Sequence, residues 1–414
     1  MSTSRPAALA DSTVYVTTFA VLFAISFCHL LNDMMQSLLA ALYPSLKARL
    51  ELNFAQVGLI TATYQFTASL LQPIVGLYSD KRPLPFSLPL AMVFTLVGLL
   101  TLSMAHTYGL LLTASVLVGL GSAIFHPESA RVARMASGGR FGLAQSFFQV
   151  GGNFGQALGP LMAAAVVLNF GQASIAWFAL MALLAVTILY NVGVWYKNHG
   201  IARIKAAAKI HRAPDLSKAQ ITGAILVLLA LIFSKQIYFS SIASYYTFYL
   251  IHRFGVSLSF AQVYLFVFLA PVAVGTLLGG IAGDKFGRKY VIWFSVLAAL
   301  PFSLMLPYAN LLWTGVLSVF IGLTLSSSFP AIVVYAQELV PGKIGAISGL
   351  FFGFAFGLSG LGAAALGWVA DRTSIEYVYV LCSYLPILGL LAALLPDLHT
   401  GRKAQTLVPA TVKE

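Results

Sequence analysis

Apolar runs long enough to cross a bilayer follow one another along nearly the whole chain, with short polar breaks between them. A membrane-spanning helix needs roughly 20 apolar residues. On that measure the pattern predicts twelve helices, at 15–42, 54–78, 86–105, 108–133, 142–168, 174–196, 219–250, 258–282, 290–309, 311–336, 344–370 and 376–396. A single long polar break, 197–218, predicts a linker between an N-terminal six-helix half (1–196) and a C-terminal six-helix half with a polar tail (219–414). The expected fold class is therefore all-α and integral to the membrane.

The two halves also repeat each other. Gly76-Leu77-Tyr78-Ser79-Asp80-Lys81 returns as Gly280-Ile281-Ala282-Gly283-Asp284-Lys285. Gly119-Leu120 with Pro127 returns as Gly322-Leu323 with Pro330, and Gly139-Arg140-Phe141-Gly142 as Gly342-Lys343-Ile344-Gly345, all at an offset of about 203 residues. A duplicated block of apolar helices points to a carrier built from two similar halves around a central site.

Composition sharpens this. The chain is 59% hydrophobic and 9% charged, whereas soluble domains hold roughly 25% charged residues, so a water-soluble fold is excluded. The net charge of +12 would suggest nucleic acid on a soluble protein, but its placement has another cause. With the N-terminus inside, 19 of the Lys and Arg residues fall on cytoplasmic segments and 4 on outer loops, leaving Lys235 within the seventh helix. That split predicts an N-in, C-in topology and no nucleic-acid partner. The polar segment 1–13 reads as a cytosolic tail rather than a signal peptide. Cys28 and Cys382 lie in apolar stretches with no disulfide or metal spacing. No nucleophile elbow, phosphate-cradling loop or His/Asp metal set is legible, so neither an enzyme nor a cofactor is expected. A channel is a further possibility, which the duplication makes less apt than a carrier.

Segment 280–289, with Gly280, Asp284, Gly287 and Arg288, resembles the loop motif of the major facilitator superfamily; 76–82, with Gly76 and Asp80, is a worn copy. Glycine lets two helices approach, and the Asp at the helix end pairs with nearby Lys or Arg. These six positions count as gating residues together with Glu338, which ends the tenth helix and is expected to pair with Arg288 or a neighbour. The stretch 155–164, with Gly155, Gly159 and Pro160, is similar to the Gly-Pro motif of antiporters in that superfamily, but it has Ala163-Ala164 for the usual Gly-Gly and Ser146 for an earlier Gly. Longer strings resemble the superfamily's exporters of phosphonate antibiotics in Gram-negative bacteria: His29-Leu30-Leu31-Asn32-Asp33-Met34, the stretches 125–140, 149–155 and 335–341, and Tyr245-Tyr246-Thr247-Phe248-Tyr249. The likeness runs from about residue 20 to 397. It implies a monomeric inner-membrane antiporter whose partners are protons, a small phosphonate drug and the lipid bilayer. The alternative is an uptake symporter for a small anionic or sugar nutrient.

Charge inside a bilayer costs roughly 3 kcal/mol or more at the centre, so the acidic residues sort by depth. Asp33, Glu128 and Glu338 remain once tails, outer loops and the loop motif are set aside. Asp33 lies mid-span in the first helix, four residues after His29 and on the same face. Desolvation disfavours a charged carboxylate, which suits a proton carrier; the bland alternative is a permanent pair, for instance with Lys235. Both hold together if protonation of Asp33 frees Lys235 for an anionic substrate. Glu128 and His126 flank Pro127 one turn before Arg131, and they read either as part of the proton route, with Arg131 a substrate ligand, or as a Glu–Arg pair at the cytosolic mouth. Lys235 is the leading ligand for a phosphonate, since a lysine offers a point charge to phosphoryl-type groups. Gln65, Gln72, Gln149, Asn153, Tyr245, Tyr246, Tyr249 and Tyr335 are the polar and aromatic candidates for the substrate cavity.

Overall fold

The computed structural model describes residues 17–41, 46, 49–52, 54–200 and 216–398. They form twelve helical rods: α1 (Phe19–Ala41), α2 (Phe54–Lys81), α3 (Ser87–Ser103), α4 (Tyr108–Ala136), α5 (Phe141–Met162), α6 (Ile175–Trp195), α7 (Lys218–Phe254), α8 (Leu258–Phe286), α9 (Arg288–Met305), α10 (Leu311–Leu339), α11 (Ile344–Arg372) and α12 (Ile375–Ser383). The last runs on as a tighter helix over Leu385–Leu394, and no strand occurs among the described residues. Nine segments among those residues are long and apolar enough to cross a membrane. Large apolar side chains such as Leu180, Phe294 and Leu312 stand exposed on the outside of the bundle, where a bilayer would receive them.

Helix ends follow local chemistry. Thr107, Ser257, Asn310 and Ser374 each accept a backbone N–H three residues on, opening α4, α8, α10 and α12. Ser217 and Gln220 form a reciprocal capping box at the start of α7, and Gly255 ends that helix in the left-handed conformation. Helices α2 and α8 run three or four residues past the ends expected from hydropathy, because the loop-motif turns at Asp80 and Asp284 are themselves helical. Of the expected linker, 197–200 continues α6 as a π-helical turn and Lys218 opens α7, while 201–215 lie outside the described residues. So do both expected cytosolic tails beyond residues 17 and 398.

The halves meet along two helix pairs, α2 with α11 and α5 with α8. Glycine makes both contacts possible. A Cβ on Gly76 would run into the Gly345 carbonyl, and one on Gly280 into the Gly142 carbonyl. The duplication relates these pairs to each other, so the same close approach is built twice, at the end of the bundle that carries the loop motif.

Candidate functional site

A cavity of about 480 Å³ lies between the halves, walled by α1 and α5 on one side and by α7, α10 and α11 on the other. Asp33 reaches it from α1 although its side chain is only 3% exposed. His29 Nε2 lies 3.3 Å from Asp33 Oδ2, and His126 Nε2 lies 3.5 Å from Oδ1. Asn32 donates to Oδ1 at 3.0 Å and Gln156 to Oδ2 at 3.1 Å.

The tautomers of both histidines follow from their other nitrogens. His29 Nδ1 is 2.7 Å from the Phe148 carbonyl, and His126 Nδ1 is 3.0 Å from the Ser122 carbonyl. A carbonyl only accepts, so each Nδ1 is assigned the proton. In a neutral ring of that tautomer Nε2 is a lone pair, and here it would face a carboxylate. Each contact becomes attractive only when a proton sits between ring and carboxyl. The arrangement can therefore hold a proton between ring and carboxyl, beside a cavity.

Lys235 occupies the opposite wall, with Gln236, Ser240 and Ser359. Its side chain is buried, and Nζ sits 4.7 Å from the centre of the Phe329 ring. No carboxylate lies within 4.0 Å of it among the described residues. Asp33 is thus served by histidines and amides, and the pairing with Lys235 weighed from the sequence is not formed. A buried ammonium with only a ring face beside it and a cavity in front of it favours an anion there.

One bond from this chamber crosses to the other half, and one network braces the N-terminal half. Asn153, on the same helix as Gln149 and Gln156, donates to Thr276 Oγ1 of α8 at 3.2 Å. Tyr64 and Ser122 both donate to Gln36 Oε1, at 2.7 and 3.3 Å, tying α1, α2 and α4 together behind Asp33.

The gating residues close the loop-motif end in a crossed pattern. Asp80 accepts from the Gly345 and Ala346 amides at 2.9 and 2.8 Å, and so caps α11 of the other half. Asp284 accepts from the Gly142 and Leu143 amides at 2.9 and 3.0 Å, and so caps α5. A carboxylate at a helix N-terminus satisfies orphan donors and meets the positive end of the dipole. Arg131 pairs with Asp80, and Arg288 with Asp284 at 2.9 Å. Glu338 meets Arg288 at 3.3 Å, the partner expected for it. Arg134 adds a third crossing bond, to Gln337 at 2.9 Å.

Not every candidate reaches the cavity. Gln65, Gln149 and Asn153 line it with His29, Asp33 and Lys235. Glu128 and Arg131 do not; they form a buried pair at 3.4 Å, with Ser87 donating to Glu128 and Arg131 donating to the Ser79 carbonyl, at the loop-motif end. Tyr249 stacks on Tyr379 at 4.2 Å, Tyr335 donates to the Pro396 carbonyl, and the Tyr245 hydroxyl lies against Gly367. Each of these tyrosines packs inside its own half and none of them lines the chamber. Gln36, Tyr64, Gln156, Gln236 and Ser359 line the cavity without having been singled out. The repeat offers a signal for Gln236, which stands 203 residues after Asp33.

Ligand atoms of His29, Asp33 and His126 lie within 4.8 Å of one another, close enough in principle for a metal ion. Both carboxylate oxygens already accept from amides, and tetrahedral coordination would need a fourth ligand. The donor set fits protons better.

Comparison with known proteins agrees with this architecture. A family model described as Major Facilitator Superfamily matches residues 25–364 and 228–413. The fosmidomycin resistance protein of Escherichia coli (strain K12) is 56% identical over 391 residues, covering 94% of this chain and 96% of that protein. A Bacillus subtilis (strain 168) protein described as an uncharacterized MFS-type transporter is 43% identical, covering 92% and 94%. Among solved structures, the E. coli fucose:proton symporter superposes with a TM-score of 0.70 at 15% identity, over 93% of this chain and 100% of that one. At that identity the likeness concerns the fold.

Proposed function

The chain belongs to the major facilitator superfamily of membrane transporters, and from that premise we propose that it is a proton-coupled antiporter that exports fosmidomycin-like phosphonate antibiotics by alternating access. The observation that supports this most is the division of the cavity. One wall holds the His29–Asp33–His126 cluster, where protons are taken up and released. The other holds Lys235, a cation free of any carboxylate among the described residues and suited to the phosphonate. The E. coli relative, a fosmidomycin resistance protein, supplies the substrate class.

In this reading the protein sits as a monomer in a bacterial inner membrane, and the Lys and Arg distribution supports cytoplasmic placement of both termini. The crossed caps of Asp80 and Asp284 then close the cytoplasmic side, and the chamber belongs to the outward-facing state. Proton binding changes the charge of one wall while drug departs from the other. A ligand shifts the two-state balance only through its differential affinity for the states, so the proton must favour the state the drug leaves. Opening inward means breaking the two caps and separating the Gly76–Gly345 and Gly142–Gly280 contacts together.

The test is transport in proteoliposomes loaded with fosmidomycin under an imposed pH gradient. Antiport moves drug against its own gradient in the direction opposite to proton flow. Movement of drug in the same direction as protons would replace this reading with uptake symport.

A further inference from the structure

We propose that Gly152 is a positioning residue for the proton site, present because the His29 ring occupies the space a side chain would need. A Cβ built on Gly152 would overlap His29 Cε1 and Nε2. The ring is held in place by two contacts to α5. It stacks on Phe148 with centroids 4.0 Å apart and planes 15° apart, and its Nδ1–H is bonded to the Phe148 carbonyl. Phe148 and Gly152 are one turn apart on α5, so that helix offers a ring to stack on, a carbonyl to orient the imidazole and a bare Cα to admit it. A methyl group here tilts the ring away from Asp33 and lengthens the 3.3 Å contact.

The other half contains an internal control. The duplication maps Phe148 onto Phe351 and Gly152 onto Ala355, while His29 maps onto Ile232. The stacking phenylalanine is kept where no imidazole exists, but the glycine is not. Helix proximity alone does not account for the difference, because Gly155 and Gly159 on α5 also press on α1, against the Leu30 carbonyl and Ser37, with no contact to the cluster.

The inference rests on the proton-coupling reading. The titratable groups facing His29 are Asp33 on its own helix and His126 from α4, whose ring centroid is 5.1 Å away; α5 presents Phe148 and Gly152. Displacing His29 therefore alters the proton affinity of the cluster as a whole.

The experiment is the pH profile of gradient-driven fosmidomycin export for Gly152→Ala, His29→Ala, the double variant and Gly155→Ala. We expect Gly152→Ala to move the profile in the same direction as His29→Ala and to cut the rate about 10-fold, the scale of one lost hydrogen bond to a charged group. In the His29→Ala background the added methyl has room and should change the rate less than about 2-fold, a non-additivity typical of residues in contact. Gly155→Ala, whose methyl meets the Leu30 carbonyl rather than the imidazole, should lower the rate without moving the profile. If Gly152→Ala proves unfolded alone, the double variant should recover folding, because the clash is gone. An unmoved profile in Gly152→Ala, or full additivity with His29→Ala, overturns the assignment. Separately, Asp33→Asn that still drives export against a drug gradient would remove the proton reading itself, whatever Gly152 does.

Discussion

Residue by residue, the duplicated halves fill the same central slots with opposite chemistry. In the N-terminal half, Asp33, His126 and Gln156 form one buried cluster, the proposed proton site. Their counterparts 203 residues on are Gln236, Phe329 and Ser359. The hydrogen-bond geometry persists: Gln156 donates to Asp33 across 123 positions, and Gln236 donates to Ser359 across the same 123 at 3.0 Å. What changes is charge. The second half has lost every acid and imidazole of the slot and gained Lys235 where the first has Asn32. In the proposed mechanism, fold symmetry supplies the rocking geometry and its violation separates proton from anion. At the loop-motif end the opposite holds, since Asp80 and Asp284 make the same caps in both halves. Symmetry is kept where the halves must close on each other and broken where they must bind different things.

The largest way to disturb this comparison is to attack the symmetric end. Gly280→Leu would thrust a side chain into the Gly142 carbonyl, an overpacking that costs roughly 1–3 kcal/mol or more. Export should fall below detection while the protein stays in the membrane, as measured by proteoliposome flux and by quantitation of purified protein.

The next variant imposes the first half's charge on the second. Gln236→Asp places a carboxylate beside Lys235 on the anion wall, and drug affinity should drop about 10- to 100-fold, the range of 1.5–3 kcal/mol for a charge-assisted contact. Calorimetric titration with fosmidomycin reads this directly. In the reverse direction, His126→Phe copies the second half's residue into the first. Loss of one imidazole from the cluster should reduce gradient-driven export about 10-fold and flatten its pH dependence, with smaller change in affinity.

Smaller effects test the caps and the ring. Asp284→Asn and Asp80→Asn should each weaken the closed end by about 1–2 kcal/mol. A reporter cysteine on the loop-motif side of the cavity should then be labelled faster in both, and by similar factors. Phe329→Leu removes the ring face under Lys235, worth roughly 0.5–1 kcal/mol, so affinity should fall by no more than about 5-fold.

Much of this architecture was legible in the chain because each feature depends on short-range pattern. Helix number and limits follow from runs of apolar residues, and the duplicated glycines announce close approach of helices. The Asp80 and Asp284 motif, and the pairing of Glu338 with Arg288, follow from charge at helix ends. Asp33 and Lys235 stood out because ionisable groups are expensive at mid-membrane. Partners were harder to read. Spacing along α1 puts His29 beside Asp33, but nothing local brings His126 from α4 or Gln156 from α5 to the same carboxylate. The tyrosines misled for a related reason: Tyr335 finds its hydroxyl partner, and Tyr249 its stacking ring, within their own half rather than at the cavity. Arg131 reads from sequence either as a drug ligand or as the partner of Glu128, and it is the pair that forms, with Asp80 added from α2.

The separation of proton and anion onto opposite walls is tested most directly by measuring fosmidomycin affinity from pH 6 to 8 in wild type, Asp33→Asn and Lys235→Ala. The account requires affinity in Asp33→Asn to stay near the wild-type value but lose its pH dependence, and affinity in Lys235→Ala to fall at least about 10-fold at every pH. A Lys235→Ala protein that binds drug as wild type does, or an Asp33→Asn protein whose affinity still varies with pH as before, would contradict it.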